Sequence, residues 1–165
     1  MLGNLFGKKK ELEETIVAPA TGKFIEIEEV PDAAFSQKMM GDGFAIEPTE
    51  GEVVSPIDGE VVQIFPTKHA VGIQGKSGIE VLVHIGLETV SMNGEGFKAF
   101  VKQGDRVKAG QCLITFDLDL IKEKATSAVT PIVITNSDKI ESLQKVASDH
   151  PQKGKSEMLK IKMKG

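Results

Sequence analysis

Short runs rich in valine and isoleucine recur along the whole chain, and glycine, proline or aspartate interrupts them at close spacing. The runs lie at residues 15–17, 23–28, 51–54, 59–65, 70–74, 80–84, 97–101, 111–117, 132–135 and 158–163. Runs this short, bounded by turn residues, predict β-strands joined by tight connections. We therefore expect an all-β fold, an antiparallel β-sandwich or barrel. Helix is expected to be short, at residues 118–124, with a turn at residues 35–40.

Two stretches of the sequence resemble each other. Residues 17–27 and 54–64 share valine, proline and glycine at equivalent positions. Each stretch has the pattern of a strand, a proline-led turn, a glycine and a second strand. The duplication predicts two strand–turn–strand units related by a pseudo-symmetry within the sandwich.

The length of 165 residues suits one domain with a substantial core. We expect a flexible N-terminal segment over residues 1–14 and a single domain over residues 15–165. Residues 1–10 begin with an apolar stretch and end in three lysines. That pattern allows either a disordered start or a weak contact with anionic lipid.

The charge, the single cysteine and the absence of long apolar runs in the sequence limit the kinds of protein that this chain can be. The chain has 24 acidic and 20 basic residues, hence a net charge of −4, which argues against a nucleic-acid partner. The one cysteine, Cys112, lies in a strand-like run and is expected to be a buried, inert thiol. No apolar run approaches the ~20 residues of a membrane span, and no signal peptide is recognisable. We expect a cytoplasmic protein whose partners are proteins.

Two histidines lie beside predicted strands: His84 ends the run at 80–84, and His69 precedes the run at 70–74. The fold is thus able to bring two imidazoles together, an arrangement that suits phosphoryl transfer. A neutral imidazole offers one nucleophilic nitrogen while the other donates a hydrogen bond that fixes the ring. The alternative for either residue is a structural, half-buried histidine next to a strand.

Each histidine has a candidate orienting partner two residues away. Gly86 has no Cβ, so its carbonyl can approach the ring of His84 and accept the second N–H. The hydroxyl of Thr67 lies on the same side of an extended chain as His69. His69 would then donate a hydrogen bond to a phosphoryl group on His84.

Four segments, taken together, resemble one protein family. They are residues 35–43 (FSQKMMGDG), 84–90 (HIGLETV), 94–97 (GEGF) and 130–136 (TPIVITN). They are similar, in order, to the glucose-family enzyme IIA component of the bacterial phosphoenolpyruvate-dependent sugar phosphotransferase system, over roughly residues 15 to 147. The resemblance implies a β-sandwich and a soluble phosphocarrier. We expect no cofactor and no catalytic metal, and a weak zinc site at His69 and His84 stays open.

The resemblance also implies the partners and the site. The carrier would take a phosphoryl group from the phosphohistidine of the general carrier HPr and pass it to a cysteine on the IIB domain of a sugar permease. By match to the family motif, His84 is the phosphorylated residue and His69 stabilises the phosphoryl group. Thr67 orients His69, and Gly86 orients His84.

The family's partner-binding positions are matched as well. Carboxylates at Asp32 and Glu88 would repel the transferred group and attract basic donor surfaces, although the family more often has aspartate at the second position. An apolar ring would exclude water during docking. Its members are Phe35, Met39, Met40, Phe65, Leu82 and Val90.

Three other functions stay open at this point. A diverged member would bind regulatory partners according to its phosphorylation state. A zinc hydrolase on a related scaffold needs a His-x-His element, and none of the three histidines lies two residues from another. A lipoyl or biotinyl carrier needs its lysine on a hairpin, whereas Lys162 and Lys164 lie at the C-terminus.

Overall fold

Thirteen strands and two short helices make up the part of the chain that the computed structural model describes, residues 11–146 and 148–165. The strands are β1 Glu13–Val17, β2 Gly22–Glu26, β3 Asp42–Pro48, β4 Glu52–Val54, β5 Gly59–Ile64, β6 Ala70–Gly75, β7 Glu80–His84, β8 Phe97–Ala99, β9 Arg106–Val107, β10 Cys112–Phe116, β11 Thr130–Ile134, β12 Ile140–Lys145 and β13 Glu157–Met163. The helices are α1 Ala33–Ser36 and α2 Leu118–Lys124, with 3-10 turns at Ile27–Glu29, Thr89–Met92 and Ser137–Lys139.

The strands form three antiparallel sheets. Seven strands pair in the order β2-β3-β11-β7-β6-β5-β9, and two three-stranded sheets have the orders β1-β13-β12 and β4-β10-β8. Among the described residues, the seven-stranded sheet stays open, with β2 and β9 as its edges. The prediction of an all-β antiparallel fold with short helices is confirmed, and the structure is a sandwich instead of a closed barrel.

Both faces of the seven-stranded sheet are buried, and the strand sequences show why. Successive side chains of a strand point to opposite faces. In β7, Val81 and Val83 enter the main core between the sheets, whereas Leu82 joins a second apolar cluster. Ile27, Val30 and Phe35 cover that second cluster from the other side. This face of the sheet, with residues 27–40 above it, carries the histidines.

The duplicated segments contact each other reciprocally. The N–H of Val17 donates to the carbonyl of Pro56 at 3.0 Å, and the N–H of Val54 donates to the carbonyl of Pro19 at 2.8 Å. Residues 17 and 19 align with 54 and 56 in the repeat, so the two hydrogen bonds are equivalent. The pair has the pseudo-symmetry that the duplication predicts.

The structure also departs from the predicted elements. Strands β3 and β12 lie where no strand was expected, and the strand expected over 23–28 ends at Glu26. The turn expected over 35–40 is partly helical, because α1 begins after Asp32, whose side chain accepts the N–H of Ala34. Strand β1 begins at Glu13, within the predicted N-terminal segment. The expected lipid contact of residues 1–10 falls outside the described residues.

Candidate histidine-pair site

The antiparallel hairpin of β6 and β7 brings the two histidines together. Ala70 and His84 are cross-strand partners in the centre of the sheet. One position further along, the N–H of Ile85 donates to the carbonyl of His69 at 2.7 Å. The two imidazole centroids are 4.9 Å apart, with an interplanar angle of 81°. Two histidines that lie 15 positions apart in the sequence thus form one site.

The hydrogen bond of His84 determines which of its nitrogens is free. Its Nδ1 lies 2.8 Å from the carbonyl oxygen of Gly86. A carbonyl oxygen only accepts, so Nδ1 carries the proton and donates. In the neutral ring, Nε2 therefore has the lone pair. His84 is half-buried, so this nitrogen is held in a partly desolvated position.

His69 is more deeply buried than His84. Its side chain is 3% exposed, and its Nδ1 lies 2.5 Å from Oγ1 of Thr67. Burial, together with a smaller effect of the neighbouring His84, lowers the pKa of His69 to about 4. The ring is neutral at neutral pH. If the hydroxyl of Thr67 donates to Nδ1, the proton of His69 lies on Nε2, where it is free to be donated.

The surroundings of His84 act on its pKa in opposite directions. Burial lowers this pKa, while the hydrogen bond to Gly86 and the negative charge of Asp32 raise it. Burial has the largest effect, so the pKa of His84 lies below its ordinary value. A neutral, nucleophilic ring is therefore the prevalent form at neutral pH.

Two aromatic rings hold the imidazoles in place. Phe35 packs against His84 and Phe65 packs edge-on against His69, each with centroids 5.2 Å apart. Phe35 and Leu82 are 4% and 6% exposed and belong to the second apolar cluster. Phe35 and Leu82 therefore pack inside the protein next to the histidines, and they offer little surface to a partner.

Only part of the predicted six-residue apolar ring is exposed to solvent. Met39 is 72% exposed, Val90 55% and Met40 38%, whereas Phe65 is half-buried. Large apolar side chains in solvent are informative when several occur on one surface. Of the predicted ring, Met39, Met40 and Val90 are therefore exposed to solvent, and Phe65 is exposed in part.

The two predicted carboxylates have partners within the chain. Asp32 caps α1 through the N–H of Ala34 at 2.9 Å. Glu88 has a left-handed backbone, with φ of 60°, and its carboxylate accepts the hydroxyl of Thr126 at 2.5 Å. Asp32 is thus held at the start of α1, and Glu88 is held four residues after His84.

Residues 11–146 and 148–165 contain no group of three or more histidine, cysteine, aspartate or glutamate side chains placed to hold a metal ion. Within the same ranges, no helix has the length and hydrophobicity needed to cross a membrane.

Comparison with known proteins identifies the family. The family described as phosphoenolpyruvate-dependent sugar phosphotransferase system, EIIA 1, matches residues 14–140. The chain belongs to this EIIA family. The resemblance inferred from four short segments is thereby confirmed, together with the assignment to the sugar phosphotransferase system.

Similar proteins cover this chain from end to end. The glucose-specific EIIA component of Bacillus cereus is 59% identical, and the alignment covers 99% of this chain and all of that protein. The component from Halalkalibacterium halodurans is 52% identical over the full length of both. A solved structure, glucose permease IIA from Mycoplasma capricolum, has a TM-score of 0.83 and 41% identity over 94% of this chain and 97% of its own.

The EIIA structure contains polar residues near His84 that the sequence analysis did not single out. Thr89 and Thr130 are fully buried, and both form hydrogen bonds to the turn that follows His84. Thr130 is 44 residues from Gly86 in the sequence. No local motif connects positions so far apart, so only the pairing of β7 with β11 reveals their proximity.

Proposed function

We propose that this protein is the phosphocarrier of a glucose-type phosphotransferase system. It accepts a phosphoryl group on His84 from phospho-HPr and passes it to the cysteine of the IIB domain of a sugar permease. The hydrogen bond from Nδ1 of His84 to the carbonyl of Gly86 is the main support for this proposal, because it leaves Nε2 as the nucleophile. The names of the glucose-specific relatives support the sugar class.

The accepting step exchanges one nitrogen–phosphorus bond for another. The lone pair on Nε2 of His84 attacks phosphorus as the bond between phosphorus and the donor imidazole breaks. The proton of His84 remains on Nδ1, where the carbonyl of Gly86 stabilises the positive charge that develops on the ring. The donor imidazole leaves as a neutral base and needs no proton from this site.

His69 stabilises the charge of the phosphoryl group during transfer. Its ring lies edge-on to His84 at a centroid separation of 4.9 Å. With Thr67 donating to Nδ1, the Nε2–H of His69 is directed by its partner and remains available for a phosphoryl oxygen. In the onward step, a thiolate of the IIB domain attacks phosphorus and the bond to Nε2 of His84 breaks.

The carboxylates and the exposed apolar residues serve the encounter with partners. Asp32 and Glu88 add negative charge beside the site, which attracts basic donor surfaces and favours release of the phosphoryl group. Met39, Met40 and Val90 present flexible apolar surface that suits successive, different partners. Docking on this surface excludes water from the reacting atoms.

The test is phosphorylation measured by intact mass. The protein is mixed with phosphoenolpyruvate, enzyme I and HPr, each omitted in turn, and acid lability is then measured. We expect one acid-labile phosphoryl group that requires all three components and is absent from His84→Ala.

The matched control is His150→Ala, because His150 is an exposed histidine outside the hairpin. This variant should accept phosphate at the rate of the wild type. Phosphorylation of His84→Ala, or none of the wild type by donors active on another EIIA protein, would contradict the proposal.

A further inference from the structure

The turn that directs His84 depends on residues outside it. The carbonyl that holds the ring belongs to Gly86, whose φ is +72°. Glycine populates many backbone conformations, so the residue alone does not fix the direction of its carbonyl. Anchors from elsewhere in the chain must therefore hold the peptides on either side of Gly86.

Two buried threonines hold the first of these peptides from both sides. The hydroxyl of Thr89 donates to the carbonyl of Ile85 at 2.6 Å. The N–H of Gly86, which belongs to the same peptide unit, donates to Oγ1 of Thr130 at 3.4 Å. Thr89 and Thr130 are both 0% exposed. Water therefore does not replace either hydroxyl if it is removed.

The hydroxyl of Thr130 is itself directed. It donates to the carbonyl of Ala128 at 3.0 Å, which leaves its lone pairs to accept from Gly86. Thr130 begins β11, the strand next to β7 in the sheet. The position of this hydroxyl is thus tied to the strand that ends in His84.

The second peptide continues the same network. The N–H of Leu87 donates to the carbonyl of Ser127 at 2.8 Å, and the two residues form an isolated β-bridge. This N–H and the carbonyl that accepts from His84 belong to one peptide unit, so each hydrogen bond polarises the other. A Cβ on Gly86 would lie 2.6 Å from Cγ2 of Thr89, which confirms how closely Thr89 packs on the turn.

We infer that Thr89 and Thr130 are positioning residues for phosphoryl transfer. Both act through the Ile85–Gly86 peptide and touch neither phosphoryl group nor partner. By holding this peptide, they direct the next carbonyl at Nδ1 of His84 and so keep the lone pair on Nε2. The inference rests on the proposed phosphoryl-accepting role of His84.

The test replaces each threonine with valine, which keeps the branched shape and removes the hydroxyl. Imidazole 15N shifts of His84 report its tautomer, and rapid-quench phosphorylation reports the rate of acceptance. We expect Thr89→Val to convert a single Nδ1–H tautomer into a mixture and to slow acceptance about tenfold. Thr130→Val should act in the same direction with a smaller effect, because its hydrogen bond is longer.

Two controls separate positioning from general stability. Thr89→Ser and Thr130→Ser retain the hydroxyl and should restore the single tautomer. Ser55→Ala removes another fully buried hydroxyl, which donates to the carbonyl of Ile57 at 2.6 Å. It should lower stability without changing the tautomer of His84. If Thr89→Val does not fold, the comparison of Thr130→Val with Thr130→Ser decides the question.

The outcomes distinguish this inference from the proposed function. An unchanged tautomer in the folded valine variants would overturn the positioning role. A shifted tautomer in these variants, with a wild type that accepts no phosphate, would show that the threonines set the tautomer of His84 and would overturn the phosphocarrier function instead.

Discussion

The two imidazoles of the site differ in the tautomers that their hydrogen-bond partners allow. His84 faces a carbonyl and is restricted to one tautomer, whereas His69 faces a hydroxyl, which either donates or accepts. The first arrangement suits a nucleophile and the second suits an adaptable donor. The sequence predicted both hydrogen-bonded pairs, because each partner lies two residues from its histidine.

At the residue scale, we predict that acceptance and onward transfer respond differently to His69→Gln. The variant retains Nε2 of His84 and its Gly86 partner, so it should still accept phosphate. It loses the imidazole that stabilises the departing phosphoryl group, so transfer to the IIB domain should fall about a hundredfold. Thr67→Ala should also slow transfer to the IIB domain, but only about tenfold. Both rates are measured by rapid quench with radiolabelled phosphate.

Exposed His150 again supplies the matched control, as His150→Gln. Equal loss of acceptance and onward transfer in His69→Gln would refute the separate roles of the two rings. An onward rate in Thr67→Ala equal to that of the wild type would argue against an orienting hydroxyl.

At the scale of the elements, the β6–β7 hairpin positions the two histidines. Residues 27–40 cover the second apolar cluster, which packs beneath them. The short apolar run of β7 was readable from the sequence, and so was the helix α2, whose bounds match the prediction. Strand β3 was missed because glycine and proline in its sequence, DGFAIEP, usually mark turns. Its pairing with β2 and β11 outweighs that local preference.

The apolar ring shows another limit of sequence analysis. Phe35 and Met39 are four residues apart and looked equivalent as docking residues. Tertiary packing separates them, since Phe35 is 4% exposed and Met39 is 72% exposed. Local sequence does not reveal which apolar side chain a neighbouring strand covers.

We predict that the exposed apolar side chains determine the affinity for the donor. Met39→Ser combined with Val90→Ser should raise the KM for HPr about tenfold and leave kcat nearly unchanged, because binding surface is lost and the reacting atoms are not touched. Initial rates at varied HPr concentration measure both constants. The control is Phe100→Ser, since Phe100 is 52% exposed and follows β8 in a different sheet. An equal rise in KM for this control would contradict a docking role for Met39 and Val90.

At the scale of the whole molecule, a buried neutral histidine couples folding to pH. The pKa of His69 is about 4 in the folded protein and 6.5 for an ordinary histidine. Between these values the unfolded chain binds a proton that the folded chain does not, so the free energy of unfolding decreases as pH falls from about 6.5 to about 4. The pKa of His84 is lowered as well and acts in the same direction.

We predict that His69→Gln loses less stability in acid than the wild type. Between pH 7 and pH 4.5, the wild type should lose about 2 kcal/mol more in free energy of unfolding, because one group contributes up to about 1.4 kcal/mol per pH unit. The chain has no tryptophan or tyrosine, so urea unfolding is followed by far-UV circular dichroism. Parallel stability curves for the two proteins would contradict a neutral, buried His69.

NMR of the 15N-labelled phosphoprotein tests directly whether Nε2 of His84 carries the phosphoryl group. Coupling between phosphorus and an imidazole nitrogen identifies the atom that is bonded to phosphorus. We predict coupling to Nε2 of His84, with the Nδ1 proton retained and hydrogen-bonded to Gly86. Coupling to Nδ1 of His84, or to a nitrogen of any other residue, would contradict phosphorylation at Nε2 of His84.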